Sequence, residues 1–452
     1  YLFPMCFSDI FSGGRMSKKP NAIGRALGLL SRFAGASFVR RHALNKPAEK
    51  IVYLGTRTGF QAITAANRLF KPARPQGGAH RLALPGQTTG LFDCHFTEEQ
   101  QMMKDSVLQF ALEVLRPQAF GADEAGACPA GLHGRAQELG LMQFAVPESL
   151  GGDAGEHSML TNVLVAEALG QGDMGQAVAV LAPLSVANAL TQWGTAEQQA
   201  TYLPSFVGDE PLLASLAVNE ARPLFNPYEP ELQAVPEGDG WRLDGVKTLV
   251  PLAARSSLWL VSAKTPQGPR VFIVEAGAAG VGVRPAGSMG LHAAELGDLQ
   301  FENVHLPKTA LLGDASFDFV QFVDAGSLAW CTMAAGCAEA VLAYVIPYCN
   351  ERQAFGEPIS HRQAVAFMVA NIAIELESMR MLMYRAANRA DLGLSWHREA
   401  FLARTLAQEK AMEIGSNGVQ LLGGHGFTKE HPVERWYRDL RAVAVLHGGL
   451  HL

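Results

Sequence analysis

The sequence predicts an α+β protein in which a small β domain separates two helical domains. Apolar residues recur at helical spacing on both sides of a central stretch, where the period changes to that of short strands. Gly and Pro residues punctuate that central stretch, as the turns of a small barrel or sandwich require. We expect a basic N-terminal extension (1–95), an N-terminal helical domain (96–211), a β domain (212–315) and a C-terminal four-helix bundle (316–452).

The first helical domain begins with a capping signal and contains one loop. Thr97-Glu-Glu-Gln100 fits a capping box, in which a Thr side chain and a Gln three positions later satisfy free backbone N–H groups. Val146-Pro-Glu-Ser-Leu-Gly-Gly152 interrupts the helical pattern, and its Pro and Gly content is typical of a loop. Helical patterns otherwise continue to about Phe206.

The strands and the bundle follow from their apolar patterns. Four short strands are predicted from the central stretch: 241–247, 258–263, 271–275 and 299–304. From Phe317 onward the chain is again helical, and one long apolar stripe comprises Val365, Met368, Val369, Ile372, Leu376 and Met379. Such a stripe is typical of a helix packed in a bundle.

Charge is distributed unevenly along the 452 residues. The net charge is −6, yet Met16 to Pro75 holds twelve Lys and Arg residues against the single acid Glu49. Within it, Ile23, Leu27 and Leu30 have helical spacing. An Arg-rich amphipathic segment fits a membrane-surface helix or an organellar transit peptide, while a basic extension packed on the acidic body is the alternative. We expect a cytoplasmic or mitochondrial matrix protein, with a peripheral position on the inner membrane face as one option.

Several functional classes are disfavoured by composition. The basic segment contains no recognisable nucleic-acid-binding motif, and no run approaches 18 apolar residues. The six cysteines show neither CxxC nor Cys/His metal spacing, so no metal site is predicted. Cys331 and Cys337 lie in an Ala-rich apolar segment, which favours buried inert thiols in a reducing compartment.

Two C-terminal blocks carry most of the functional signal. Arg352-Gln-Ala-Phe355-Gly-Glu-Pro-Ile-Ser-His-Arg-Gln363 is followed later by Gln420-Leu-Leu-Gly423-Gly424-His-Gly-Phe427. An Arg side chain and paired glycines suit a dinucleotide pyrophosphate, because it needs a planar cation and close backbone approach. Gly426 is better explained as a turn residue, and Arg438 with Asp439 as an internal ion pair.

From Phe96 onward, these blocks and their order resemble the acyl-CoA dehydrogenase family of FAD-dependent flavoproteins. Trp193-Gly-Thr195 with Tyr202-Leu-Pro204, and Phe301-Glu-Asn-Val304, resemble further family signatures. The resemblance implies that Arg352, Phe355, Gln420, Gly423 and Gly424 reach the ADP half of an FAD whose flavin lies in the neighbouring subunit. It also implies oxidation of an acyl-CoA to the trans-2-enoyl-CoA, electron transfer to an electron-transfer flavoprotein, and a dimer or tetramer.

The catalytic carboxylate of the family is absent from both positions where the resemblance places it. In most members a Glu lies eight residues after the Asp that matches Asp439, and that position is His447. A minority carry the Glu at the position of Ala329, beside an Arg that is here Trp330. His447 fits three interpretations: a substitute base, a flavin monooxygenase residue, or an uninvolved loop His. Asp324 is a further candidate base, with a turn carboxylate as the plainer explanation.

The segments that resemble the subunit's own flavin contacts are also altered. Asn219-Glu220 is followed by no Gly-Ser-Asp, and Leu249-Val250-Pro251 replaces a Trp-Ile-Thr type segment. Asn219 can still hydrogen-bond a flavin carbonyl, whereas Pro251 offers neither hydroxyl nor backbone N–H. These losses motivate a second hypothesis, that the chain is the non-catalytic subunit of a hetero-oligomer and lends its ADP site to an active homologue.

Overall fold

The computed structural model describes residues 96–153, 157–208, 210–222 and 225–452. All of them belong to the compact unit Leu91–Leu452. The predicted basic extension and its amphipathic segment lie outside the described residues, so their membrane contact stays a prediction.

Helices form the first third of the described chain. They are α1 (Glu98–Phe110), which continues through a π-helical turn (Ala111–Leu115) into α2 (Arg116–Ala125), then α3 (Leu132–Glu138), α4 (Met159–Gly172), α5 (Met174–Trp193) and α6 (Ala196–Tyr202). The predicted capping box is confirmed: the Thr97 hydroxyl accepts from the Gln100 N–H, and the Gln100 side chain accepts from the Thr97 N–H. The predicted loop at 146–152 contains one short 3-10 turn, Glu148–Leu150.

A seven-stranded sheet follows. Its strands are β1 (Ala214–Ala217), β2 (Gln233–Glu237), β3 (Gly240–Val250), β4 (Leu258–Thr265), β5 (Gly268–Glu275), β6 (Val281–Pro285) and β7 (Gly297–Pro307). Their order is β1-β4-β2-β3-β7-β6, with β5 paired antiparallel to β4. The four predicted strands correspond to β3, β4, β5 and β7, whereas β1, β2 and β6 were not predicted.

The C-terminal part is helical, as predicted. It contains α7 (Phe319–Glu351), the hairpin of β8 (Gln353–Ala354) and β9 (Glu357–Pro358), α8 (Gln363–Asp391), α9 (His397–Leu422), α10 (Val433–Leu440) and α11 (Ala442–Val445). The predicted stripe lies on α8. Its members Ile372, Leu376 and Met379 are buried, and the earlier ones pack at the margin of the same core. The α+β fold class and its order of helices, sheet and helices are therefore confirmed.

Within the described residues, two helices, α5 and α7, are long and apolar enough by length and composition to cross a membrane. In α5, 94% of the most apolar window is buried inside the fold, and in α7 the share is 72%. Core helices of this kind satisfy the same criteria, so the observation carries no membrane assignment.

Glycines allow α4 and α7 to approach backbone to backbone. A Cβ at Gly336 would lie 2.1 Å from the carbonyl oxygen of Glu167, and a Cβ at Gly170 would lie 2.6 Å from that of Met333. Real Cβ atoms do not approach so closely, because interiors are already packed to near crystal density. This contact fixes the N-terminal domain against the C-terminal bundle.

We therefore expect Gly336→Ala to lower the free energy of unfolding by about 1–3 kcal/mol, because the added methyl forces α4 and α7 apart. Chemical denaturation followed by circular dichroism measures this change. Gly134→Ala is the matched control: it lies in α3 with no atom within 4 Å of an added Cβ. Its higher helix propensity should stabilise the protein by up to about 1 kcal/mol. Equal effects of the two substitutions would contradict the close helix contact.

Candidate functional site

The structure brings five predicted site residues together around one cavity. Arg352, Phe355, Gln420, Gly423 and Gly424 all line a space of about 570 Å³. One wall is the end of α7 with the β8–β9 hairpin, and the other is the end of α9. Residues separated by most of the C-terminal domain in sequence therefore contribute to a single surface.

The hairpin presents an aromatic ring to solvent. Phe355 and Gly356 both have positive φ, 55° and 85°, which is the backbone geometry of a tight two-residue turn. The Phe355 side chain is 97% exposed, and the Arg362 guanidinium lies 5.7 Å from its ring centroid. A large exposed aromatic ring flanked by cations is suited to stack on a planar ligand or to contact a second chain.

The opposite wall consists of open backbone. Helix α9 ends at Leu422, and the next residue, Gly423, has a φ of 58°, which favours glycine. An added Cβ at Gly423 or Gly424 would meet no atom within 4 Å. Gly426 differs, because its Cβ would lie 2.3 Å from the carbonyl oxygen of Val419. Gly426 does not line the cavity, which supports its interpretation as a turn residue. Close backbone approach is possible at 423 and 424, as a pyrophosphate requires.

Asn219 lies elsewhere, after β1. Its Nδ2 donates to the Thr248 hydroxyl at 3.2 Å, and its main-chain carbonyl accepts from the Thr248 N–H at 2.9 Å. The Asn219 Oδ1 atom is buried and has no donor among the described residues. Asn219 therefore keeps one unused acceptor, but it does not line the cavity of the other five predicted residues.

A buried ion pair that sequence reasoning missed holds the backbone beside Asn219. The Lys247 ammonium, fully buried, lies 2.6 Å from the Glu220 carboxylate and also donates to the Ser262 hydroxyl and the Val218 carbonyl. Burial lowers the pKa of Lys247 to about 8, and Glu220 opposes that shift. Glu220 also accepts from the N–H groups of Glu231 and Leu232. These two charged residues therefore support structure and are not free to act on a ligand.

His447 lies in the segment after α11, with its ring 5.9 Å from that of Phe225. Its Nδ1 atom is buried and has no partner among the described residues. Burial, with a smaller contribution from Arg404, lowers the pKa of His447 to about 4. The imidazole is therefore neutral near pH 7, and it can accept a proton or a hydrogen bond.

The segment 446–450, which we name the C-terminal loop, is wedged between the sheet and α7. The Trp330 indole N–H donates to the Gly448 carbonyl at 2.6 Å. A Cβ at Gly448 would lie 2.2 Å from the Val218 side chain, and one at Gly449 would lie 3.2 Å from Pro251. The loop backbone thus packs against Val218, next to Asn219, and against Pro251, which lies in the second segment that resembles flavin contacts.

The two alternative base positions have clear structural explanations. Ala329 is buried in α7 and offers no ionisable group. Asp324 is not a turn residue as the plainer prediction had it, but a buried residue of α7. Its carboxylate accepts from the Tyr228 hydroxyl at 2.6 Å and contacts His397 Nδ1 at 2.8 Å. Burial raises the pKa of Asp324.

The predicted ion pair of Arg438 with Asp439 needs correction. Arg438 pairs with Asp123 at 2.6 Å and with Glu434 at 2.9 Å, whereas Asp439 accepts from the Leu291 N–H. Successive helical residues point in different directions, so each finds a different partner. Burial raises the pKa of Asp439 to about 7.

The two thiols of α7 that were predicted to be inert fit that prediction. Cys331 and Cys337 are fully buried, and burial raises the pKa of the Cys331 thiol to about 12 and that of Cys337 well above its usual range. Reactivity requires the thiolate, which is therefore scarce at both positions.

Comparisons with known proteins agree with this architecture. The chain matches three family descriptions: acyl-CoA dehydrogenase, N-terminal domain at residues 97–210, middle domain at 215–304 and C-terminal domain at 320–449. A short/branched chain specific acyl-CoA dehydrogenase from Rattus norvegicus is 31% identical over 78% of this chain and 83% of its own length.

Two further proteins are similar over most of their length. The caffeyl-CoA reductase-Etf complex subunit CarC of Acetobacterium woodii is 31% identical over 78% of this chain and 96% of its own. The structure of butyryl-CoA dehydrogenase from Megasphaera elsdenii is 27% identical, covers 79% of this chain and 96% of its own, and has a TM-score of 0.72. The domain matches, the sequence identity and the shared fold together show that this chain belongs to the acyl-CoA dehydrogenase family.

Proposed function

We propose that this chain is an FAD flavoprotein that takes part in α,β-dehydrogenation of an acyl-CoA thioester. The cavity formed by Arg352, Phe355, Gln420, Gly423 and Gly424 carries this proposal. A guanidinium fork, a side-chain amide and open glycine backbone are the groups that a dinucleotide pyrophosphate and its adenosine need. The residues present therefore fit the ADP half of FAD.

The exposed ring of Phe355 favours an oligomer. The Phe355 ring is exposed and the cavity beside it is open, so one face of a bound dinucleotide would stay uncovered in a single chain. A second chain can cover that face. The relatives include a subunit of an Etf complex, so an electron-transfer flavoprotein is the electron acceptor that we propose. Acyl-CoA is the proposed substrate, as the names of the relatives indicate.

His447 is the residue that we propose for proton abstraction from the substrate α-carbon. When bound, FAD supplies the acceptor for the hydride that leaves the β-carbon. His447 Nδ1 is free to receive the α-proton, and its low pKa keeps the imidazole neutral. The Nδ1 atom itself is shielded from solvent, which favours proton transfer to it from a positioned thioester.

A second candidate function is that of a non-catalytic subunit. The C-terminal loop favours it, because Gly448 and Gly449 pack directly on Val218 and Pro251. A flavin placed against those segments would have to displace the loop. The ADP cavity shares no lining residue with the loop, so the chain can lend that cavity to an active homologue. Retention of this cavity argues against the flavin monooxygenase alternative, whose members generally bind FMN.

Arg352→Ala should weaken FAD binding roughly 10- to 100-fold, because loss of a charge-assisted hydrogen bond costs about 1.5–3 kcal/mol. FAD content of the purified oligomer, measured by absorbance, reports the change. Arg284→Ala is the control, since Arg284 is an exposed residue of β6 outside the cavity. Unchanged FAD content in the Arg352 variant would contradict the assignment of the cavity.

The two candidate functions predict different spectra for the chain purified alone. A catalytic homo-oligomer should show stoichiometric FAD absorbance that is bleached on addition of an acyl-CoA. A non-catalytic subunit should be colourless alone and acquire FAD only when co-expressed with a closely related homologue. Stoichiometric FAD and turnover in the homogeneous chain would exclude the second candidate.

If His447 is the base, His447→Gln should lower kcat roughly 10²- to 10⁴-fold, the usual contribution of a positioned base. His447→Glu should retain activity. The base works only when deprotonated, so wild-type kcat should be constant above about pH 5 and fall as the pH drops through 4. Steady-state rates with an artificial electron acceptor test this. Equal kcat for wild type and His447→Gln would rule out His447 as the base.

A further inference from the structure

A second, smaller cavity lies beside His447, between α7, α9 and the C-terminal loop. Its volume is about 140 Å³, on the order of five water molecules at their liquid volume. Its walls combine apolar groups with several polar ones: Pro227, Tyr228, Ser327, Ala400, Phe401, Arg404, Thr405, Gln408 and His447. The space is sufficient for a small organic acid or a short acyl group.

Arg404 contributes an incompletely satisfied cation to this cavity. The residue is 6% exposed, and its Nη2 donates to the Leu446 carbonyl at 2.7 Å. Its Nε and Nη1 atoms are buried without an acceptor among the described residues. Burial lowers the pKa of Arg404, but a guanidinium stays protonated at any physiological pH.

The neighbouring carboxylates do not neutralise Arg404. Asp324 is already held by Tyr228 and His397, through contacts of 2.6 Å and 2.8 Å. Glu399, on the same helix, faces Arg385 and Arg389, each at 3.5 Å. A buried charge without a counterion is unfavourable, so an anion that enters the cavity gains the full attraction of the guanidinium.

The remaining polar groups are uncharged. His447 is neutral because burial lowers its pKa to about 4, and Ser327 and Gln408 offer a hydroxyl and an amide. The Thr405 hydroxyl donates to the Phe401 carbonyl within α9. One cation, neutral hydrogen-bonding groups and apolar walls together match a carboxylate on a short aliphatic chain.

We propose that this cavity binds a carboxylate on Arg404. The planar guanidinium can hold both oxygens of a carboxylate, which gives direction as well as charge. The carboxylate can belong to a free short acid or to the far end of an acyl thioester. Binding of a carboxylate that belongs to an acyl thioester rests on the proposed function, because the cavity beside His447 must then receive the acyl group. Binding of a free acid does not depend on the proposed function.

Calorimetric titration of the full-length chain, with any bound FAD kept reduced so that no thioester is oxidised, separates the two sources. Succinyl-CoA and butyryl-CoA have four-carbon acyl groups and differ in the terminal carboxylate, and succinate supplies the same carboxylate without CoA. We expect the wild-type chain to bind succinyl-CoA, or succinate at fixed ionic strength. In Arg404→Gln the affinity for that ligand should fall roughly 10- to 100-fold. The preference for succinyl-CoA over butyryl-CoA should disappear in the same variant.

Control variants separate ligand binding from loop damage. Arg398→Gln removes the same charge from an exposed position of α9 and should leave all affinities unchanged. Arg404→Lys keeps a cation that can still reach the Leu446 carbonyl, and should retain part of the preference. A structural defect would weaken both thioesters equally, so their ratio is the decisive readout.

Two results would overturn the proposal: equal affinity for succinyl-CoA and butyryl-CoA with no binding of succinate, or a succinate effect that Arg404→Gln leaves unchanged. Both are measured without turnover. If the carboxylate site is wrong, these binding measurements show it. If the proposed dehydrogenation is wrong, the FAD absorbance is absent or an acyl-CoA does not bleach it.

Discussion

The hydrogen bond from the Trp330 indole to the Gly448 carbonyl is the contact on which the arrangement around His447 depends. Trp330 is almost fully buried in α7, and a buried indole N–H requires an acceptor. Gly448 has a φ of 65° and rests against Val218, so neither its backbone nor the space around it tolerates a side chain. The loop therefore has one available path, which places His447 and Leu446 next to Arg404.

Several buried charges elsewhere in the described part of the chain are paired with a charge of opposite sign. Lys247 meets Glu220, Arg380 meets Glu167 at 2.6 Å, and the Glu167 carboxylate also accepts from the Tyr384 hydroxyl. Each pair joins elements that are distant in sequence, and each balances its own desolvation cost with direct hydrogen bonds. Arg404 has no such partner among the described residues, and it lines the small cavity beside His447. An unpaired guanidinium is more informative in a buried cavity than at the surface, because at the surface water would satisfy its N–H groups.

The sequence predicted those features that are encoded locally. The strands β3, β4, β5 and β7 were recognised from their own apolar residues and flanking turns. Strand β1 was not predicted because all four of its residues are buried, and strand β6 was not predicted because four of its five residues are exposed. Neither strand shows the alternation of buried and exposed residues on which the prediction depended. Similarly, the ADP cavity was predicted because each of its walls is a continuous motif, the hairpin after α7 and the end of α9.

Long-range contacts account for what the sequence could not reveal. Asp324 was misjudged because its partners Tyr228 and His397 are 96 and 73 residues away. The sequence did not single out Arg404, because an Arg in an amphipathic helix is ordinarily solvated. Its surroundings include residues distant in sequence, such as Tyr228, Ser327 and His447. The proposed ADP cavity is open at Phe355, whereas the C-terminal loop packs against Val218 and Pro251, and none of the residues that line the cavity belongs to that loop. If the loop keeps the chain from holding its own flavin, as the second candidate function proposes, the proposed ADP cavity is still left intact.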